Sequence, residues 1–321
     1  MDKKIKIFIG TDRSQLLPAK VLEHSIRKTA SQTVEVQTMD KLQIPEPIDL
    51  RQSQRTGFSF ARWALPELCH YKGRGIYLDA DMLVFKDIIS LWDMPMHDAV
   101  ISIVDGTDSA YCSEGVKLNK NETSVMIIDC EKAKWTLKDL VHGLDGQYTY
   151  QQMMSELCFL TENKIIRTIP RHWNSMDYWD DTVSLVHFTN TPIQPWVSVD
   201  NDYGYVWVDY LKKMINEAII TIQDIEKEVE LGYFRPSILR EVTFDTCYDP
   251  HSAYAHNLRK IDVVEKFIPH REVQEWNIRR LEAIESCEFK LAKQRNLGYY
   301  FIKRLKKSLS IAINRIGLFL R

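Results

Sequence analysis

Residues 73–85 read Gly-Arg-Gly-Ile-Tyr-Leu-Asp-Ala-Asp-Met-Leu-Val-Phe, and no other stretch narrows the possible folds as much. Ile76, Tyr77 and Leu78 follow a glycine-rich turn as an apolar, β-branched and aromatic run, which predicts a buried strand rather than a helix. Asp79 and Asp81 stand where that strand runs out, at the rim where open α/β sheets bind their ligands. Two carboxylates this close repel each other, and burial sharpens the repulsion. A divalent cation between them removes the conflict, and hard oxygen donors suit Mg²⁺ or Mn²⁺ with positions left for water or substrate phosphates. An arbitrary Asp-x-Asp is more often a solvated turn. Here the strand in front and the apolar residues 82–85 behind argue for a metal site.

The surrounding sequence supplies more elements of the same kind. Residues 6–12 read as a first strand ending in a turn, 18–29 as a helix, and 34–39 as a second strand. Residues 56–68 carry Phe58, Phe60, Trp63, Leu65 and Leu68, predicting a helix that kinks at Pro66. Strands are expected at 99–104, 124–128, 165–169 and 183–188, and helices at 131–143 and 151–159. This alternation predicts an α/β fold, with a mixed or parallel sheet flanked on both faces by helices. Beyond residue 210 the texture becomes helical, over 210–231 and 271–293, with no clear strands.

A chain of 321 residues holds one large domain with appendages, or two. Its six cysteines show neither a Cys-x-x-Cys pair nor zinc-ligand spacing, which points to a reduced, cytoplasmic setting. The N-terminus lacks the apolar length of a signal peptide, so Asn121-Glu-Thr123 carries no glycosylation expectation. No apolar run is long enough to span a bilayer. Lys and Arg total 42 against 44 Asp and Glu, yet every charged residue from Lys290 onward is basic, leaving the body acidic. An acidic body without a recognition module argues against nucleic acid as a partner.

Four places in this sequence resemble family 8 glycosyltransferases, the retaining enzymes that include glycogenin and bacterial lipopolysaccharide galactosyltransferases. Residues 7–12 (Ile-Phe-Ile-Gly-Thr-Asp) are similar to the first strand and nucleotide-base loop. Residues 61–67 (Ala-Arg-Trp-Ala-Leu-Pro-Glu) with 76–81 (Ile-Tyr-Leu-Asp-Ala-Asp) are similar to the family's Arg-containing helix and metal motif. Residues 150–155 resemble its Asp-Gln-Asp segment, and 187–196 its late His…Pro-Trp loop.

The resemblance spans roughly residues 5–200 and implies a GT-A type Rossmann-like fold. It implies that Asp79, Asp81 and His187 bind Mn²⁺ (or Mg²⁺) as it bridges the diphosphate of a UDP-sugar donor, with Ala80 between the two acids at the donor site. It further implies that Gly10, Thr11 and Asp12 meet base and ribose, that Arg62 orients the donor or its phosphate, and that Gln151 lies beneath the anomeric carbon. The domains expected are a GT-A nucleotide-sugar-binding catalytic unit at 1–210, a helical region at 211–289 and a basic tail at 290–321. The expected acceptor is a glycan or glycolipid.

Departures from the family pattern are local. The acids flanking the family's Gln are Tyr150 and Gln152 here, so no carboxylate stands there as a double-displacement nucleophile; same-face attack within an ion pair is favoured. Asn190 replaces a Gly and Gln194 a Lys in the late loop, which removes an expected phosphate contact, and the Asn-x-Gly usual near residues 122–125 is absent. Each residue also has a plainer reading: His187 as a structural histidine, Gln151 as a polar helix residue, Arg62 as a partner of Glu67, Asp12 as a helix cap. Two alternatives follow, a weakly active sugar-nucleotide- or glycan-binding relative and an aspartyl phosphotransferase. The latter's motif usually sits on the first strand with Thr or Val where Leu83 stands.

In the tail, Leu297, Phe301, Leu305, Leu309, Ile313, Ile316 and Leu320 recur every three or four positions, largely apart from Lys303, Arg304, Lys306, Lys307 and Arg315. Such a helix is expected to lie on an anionic membrane surface, making the protein peripheral on its cytoplasmic face. A helix packed on protein is the alternative.

Overall fold

The computed structural model describes residues 5–116 and 118–294. Among the described residues the strands are β1 (Ile5–Gly10), β2 (Val34–Thr38), β3 (Arg74–Asp79), β4 (Met82–Val84), β5 (Ile101–Asp105), β6 (Asn121–Asp129), β7 (Ile165–Ile169), β8 (Ser175–Met176) and β9 (Leu185–His187). Six form one sheet in the order β2-β1-β3-β6-β5-β7, and three form a second in the order β4-β9-β8. β3 runs parallel to β1 and antiparallel to β6, so the large sheet is mixed.

Side chains that alternate along its central strands bury both faces. Ile7, Ile9, Ile76, Leu78, Val125 and Ile127 pack with Leu22 and Ile26 of helix α1 (Leu16–Thr29) on one side. Phe8, Tyr77, Met126 and Ile128 pack with Trp63, Leu65, Leu140 and Val141 on the other. Strands buried on both faces read as continuous apolar runs, which is why β1 and β3 stood out in the sequence.

The remaining helices are α2 (Leu65–Leu68), α3 (Ile89–Trp92), α4 (Leu137–Gly143), α5 (Gly204–Asn216), α6 (Ile222–Glu230), α7 (Ile238–Thr243), α8 (Ala253–Val264) and α9 (Arg271–Gln294). The C-terminal region is helical, as expected, and α5, α6 and α7 share an apolar core with α1 and the small sheet: Trp207, Leu211, Ile225 and Ile238 pack with Leu17, Val21, Leu83 and Phe188. From residue 295 on, the basic tail lies outside the described residues. No helix among the described residues is long and apolar enough to cross a membrane.

Four helices differ from expectation for local reasons. Residues 56–68 make turns, a 3-10 segment at Ala61–Ala64 and only then α2. Pro66 has no N–H for an α-helical bond to Arg62, so a continuous helix cannot pass, whereas in the first turn of α2 that N–H is not needed. The helix expected over 131–143 begins at Leu137, because extended Thr136 caps it by accepting from the Asp139 N–H. Residues 210–231 divide between α5 and α6, separated by left-handed Ala218 and a reciprocal Thr221–Asp224 capping box. Residues 151–159 hold a single π-helical turn, Gln152–Glu156, ended by left-handed Leu157.

Candidate metal centre and cleft

Asp79 closes β3 in the large sheet, opposite Gly10 of β1, and after Ala80 and Asp81 the chain enters β4 in the small sheet. Ala80, fully buried, makes the crossing. β4 pairs antiparallel with β9, setting Met82 against His187, and the Phe188 N–H donates to the Asp81 carbonyl at 2.9 Å. That register carries a histidine from far along the chain to the two aspartates. One ligand atom from each of Asp79, Asp81 and His187 lies within 4.8 Å of the others, and all three residues are buried.

Each member is held from behind. Arg62 donates through Nη2 to Asp79 Oδ1 at 2.9 Å and Oδ2 at 3.2 Å, through Nη1 to the carbonyl and hydroxyl of Thr123, and through Nε to the Ser59 carbonyl. The Tyr77 hydroxyl donates to Asp79 Oδ1 at 2.6 Å. Gly10 leaves room for that phenol: a Cβ there would fall 2.0 Å from its oxygen. Gln194 donates its amide to Asp81 Oδ2 at 2.8 Å and to the Phe188 carbonyl at 2.7 Å. The residue in the place of the family's Lys thus orients a metal-motif carboxylate.

His187 is aimed by a relay. The Asn174 amide nitrogen donates to Ser124 Oγ at 3.1 Å, which turns its Oδ1 toward His187 Nδ1 at 2.9 Å. Nδ1 therefore carries the proton, and Nε2 faces Asp81 Oδ1 at 3.1 Å. This contact is electrostatic rather than a well-directed hydrogen bond, because Asp81 Oδ1 is a buried oxygen with no hydrogen-bond partner.

Burial works against the charged form of His187, but neighbouring Asp81 outweighs it and raises the imidazole pKa. Burial raises the Asp79 carboxyl above the ordinary range, and Asp81 adds to that while Arg62 opposes it. For Arg62, burial lowers the pKa but Asp79 reverses the sign, and the guanidinium stays charged. The two carboxylates are thus faced by the Arg62 guanidinium and the His187 imidazole. A divalent cation seated among them would offset the charge that the two aspartates share. The donor set of two carboxylates and one neutral imidazole, with Asp81 Oδ1 unpartnered, fits a hard divalent ion.

These residues form the floor of a cleft of about 810 Å³. Gln151 lines it with an exposed side chain, and Tyr150 beside it stacks under the Arg55 guanidinium, 4.1 Å from the ring centroid. Gly10, Thr11 and Asp12 lie at the carboxyl end of β1 rather than among the cleft-lining residues. The Asp12 carboxylate accepts from the N–H groups of Ser14 and Gln15 and from the Ser14 hydroxyl, as a cap.

Sequence reading missed Tyr77, Asn174, Glu122 and Asp177. Glu122 and Asp177 are buried carboxylates on the cleft wall, both raised above the usual range by desolvation. Nothing local marks them. Only the strand pairings bring them to the site.

Comparison with known proteins bears on the N-terminal part first. Residues 5–125 match the family model described as Glycosyl transferase family 8. This segment carries the family 8 glycosyltransferase pattern. Arg62, Asp79 and Asp81 lie inside the family 8 segment, whereas Gln151 and His187 lie beyond it and join it only through the fold.

Protein CDI of Arabidopsis thaliana is 25% identical over 240 residues, 67% of this chain and 89% of that protein. Among solved structures, the WbbM bifunctional glycosyltransferase shares the fold at a TM-score of 0.50 and 13% identity, over 65% of this chain and 50% of that one. The chain thus spans half the length of that bifunctional protein. The galactosyltransferase LgtC, solved with donor and acceptor sugar analogs, aligns at a TM-score of 0.46 and 15% identity, over 64% of this chain and 95% of that one.

Proposed function

We propose that this glycosyltransferase moves a sugar from a UDP-sugar to a glycan or glycolipid acceptor, with retention, and that its metal is Mn²⁺ held by Asp79, Asp81 and His187. The observation that carries this reading is the convergence of those three side chains from two sheets onto one cleft. When bound, the ion supplies Lewis-acid stabilisation of the charge that develops on the departing diphosphate.

The chain's own residues do the rest. Arg62 and Tyr77 fix Asp79, Gln194 fixes Asp81, and Asn174 fixes His187, so the donor site is preorganised rather than assembled on binding. Gln151, exposed on the cleft wall, presents an amide oxygen to the anomeric carbon as positive charge grows there. No acid flanks it, which is consistent with same-face attack by the acceptor hydroxyl.

A weakly active sugar-nucleotide binder is the second reading, favoured by the neutral residues at 150, 152 and 194. Mn²⁺-dependent hydrolysis of a panel of UDP-sugars decides: turnover supports the transferase, and binding without turnover supports the binder. An aspartyl phosphotransferase fits poorly, because Arg62 and Tyr77 already occupy the Asp79 carboxylate.

For the basic tail we retain docking on an anionic membrane, with the protein on its cytoplasmic face. Co-sedimentation with phosphatidylserine vesicles, lost on truncation at residue 294, is the test.

A further inference from the structure

The site described so far gives no task to Asp177. It follows the short strand β8, where Met176 pairs with His187, and its own N–H donates to the His187 carbonyl at 2.9 Å. One carboxylate oxygen, Oδ2, accepts from the Thr189 hydroxyl at 2.5 Å and from the Asn190 N–H at 3.1 Å, which holds the start of the late loop. The other, Oδ1, is buried and has no hydrogen-bond partner. Asp177 lines the cleft, is 8% exposed, and adopts a left-handed backbone with φ of 50°.

A buried carboxylate oxygen without a donor is costly, and a non-glycine residue in the left-handed region adds to the cost. Holding the loop needs only Oδ2. On this cleft wall the same signature, a covered and unpartnered carboxylate oxygen, occurs at Asp81 Oδ1, the atom assigned above to the cation. Asp177 Oδ1 is not within the three-residue metal group, so what it awaits is a hydrogen-bond donor rather than the ion itself.

The place in the cleft decides which donor. Asp177 is bonded through its backbone to His187, at the metal end where the diphosphate would sit and the first sugar hydroxyls would follow. The residues flanking Gln151 are Tyr150 and Gln152, so that segment brings no acid to the cleft. We infer that Asp177 is the sugar-recognising carboxylate of this transferase, accepting a hydroxyl hydrogen bond from the donor's sugar through Oδ1. This rests on the UDP-sugar reading above and adds the residue that distinguishes a UDP-sugar from UDP.

Asp177→Asn is the informative variant. Asn tolerates the left-handed backbone, and its amide oxygen can still accept from Thr189 and Asn190 while its NH₂ puts a donor where Oδ1 was. Calorimetric titration of the full chain with Mn²⁺ would use UDP, UDP-glucose, UDP-galactose, UDP-xylose and UDP-N-acetylglucosamine. The expected result is that the variant holds UDP within about two-fold of wild type but loses about ten- to a hundred-fold on the tightest UDP-sugar, the range for a hydrogen bond to a charged group. Equal losses on UDP and UDP-sugar would overturn the inference and assign Oδ1 to a water on the metal. No loss on either, or a wild type that binds no UDP-sugar more tightly than UDP, would also overturn it. If wild type binds neither UDP nor any UDP-sugar, the donor reading beneath fails and takes this inference with it.

Discussion

Asn174 Oδ1 accepts the Nδ1 proton of His187 at 2.9 Å, and this single bond decides which ring nitrogen faces the aspartates. Because Ser124 accepts from the other end of the same amide, Asn174 has only one orientation that satisfies both neighbours. Asn174→Leu should keep the branched shape but free the imidazole to rotate or change tautomer. Outer partners of this kind are worth about 10–100-fold in metal affinity. Titration with Mn²⁺ followed by electron paramagnetic resonance should show a loss in that range; unchanged affinity would remove Asn174 from the account.

Arg62 and Asp79 form a buried pair at the cleft, with side chains 9% and 12% exposed. Removing one leaves the other charged and uncompensated, at a cost of about 3–5 kcal/mol. Arg62→Met should therefore lower the unfolding free energy by about that amount, and Asp79→Leu in the same chain should restore much of it. Denaturant melts of the two single variants and the double variant close the cycle. Additive losses would mean the pair is not coupled.

What could be read in the sequence was whatever two-faced burial or chain neighbours impose. Ile76, Tyr77 and Leu78 are buried on alternate faces of one sheet, so their apolar run announces a strand, and Asp79 and Asp81 follow it directly. Arg62 was legible as a site residue, but its engagement with Asp79 depends on how the 3-10 segment lies against β3 and β6. Asn174 and Asp177 were not legible, because their positions follow from the pairing of β8 with β9, strands of two and three residues that carry no periodicity. The expected helix over 56–68 failed because its apolar residues are buried by tertiary contact around a proline, not by helical repetition.

His24 offers a pH test away from the site. It stands edge-on to Tyr210, with ring centroids 5.6 Å apart, and places Nε2 3.1 Å from Glu217. Burial lowers its pKa, although Glu217 opposes the shift. The unfolded chain thus binds this proton more readily, so the stability it contributes is present above about pH 6.5 and is lost as pH falls. Between about pH 7.5 and 5.5 the melting temperature of wild type should fall more steeply than that of His24→Gln. Parallel curves would contradict the assignment.

Gly10 is required by Tyr77, whose phenol a Cβ there would strike. A methyl group at this position would drive the phenol from Asp79, since the nearest ring atoms also lie within 2.8 Å of the Cβ position. Overpacking of a well-filled core costs about 1–3 kcal/mol, and Gly10→Ala should lose that much stability together with metal affinity. A chain that kept both would show that Tyr77 does not support Asp79.

The most direct measurement is calorimetric binding of Mn²⁺ in the presence of UDP, comparing wild type with Asp81→Asn and His187→Ala. The account predicts one saturable ion per chain in wild type and loss of that binding in both variants. Ion binding that survives in His187→Ala at wild-type affinity, or a wild type indifferent to Mn²⁺, would contradict it.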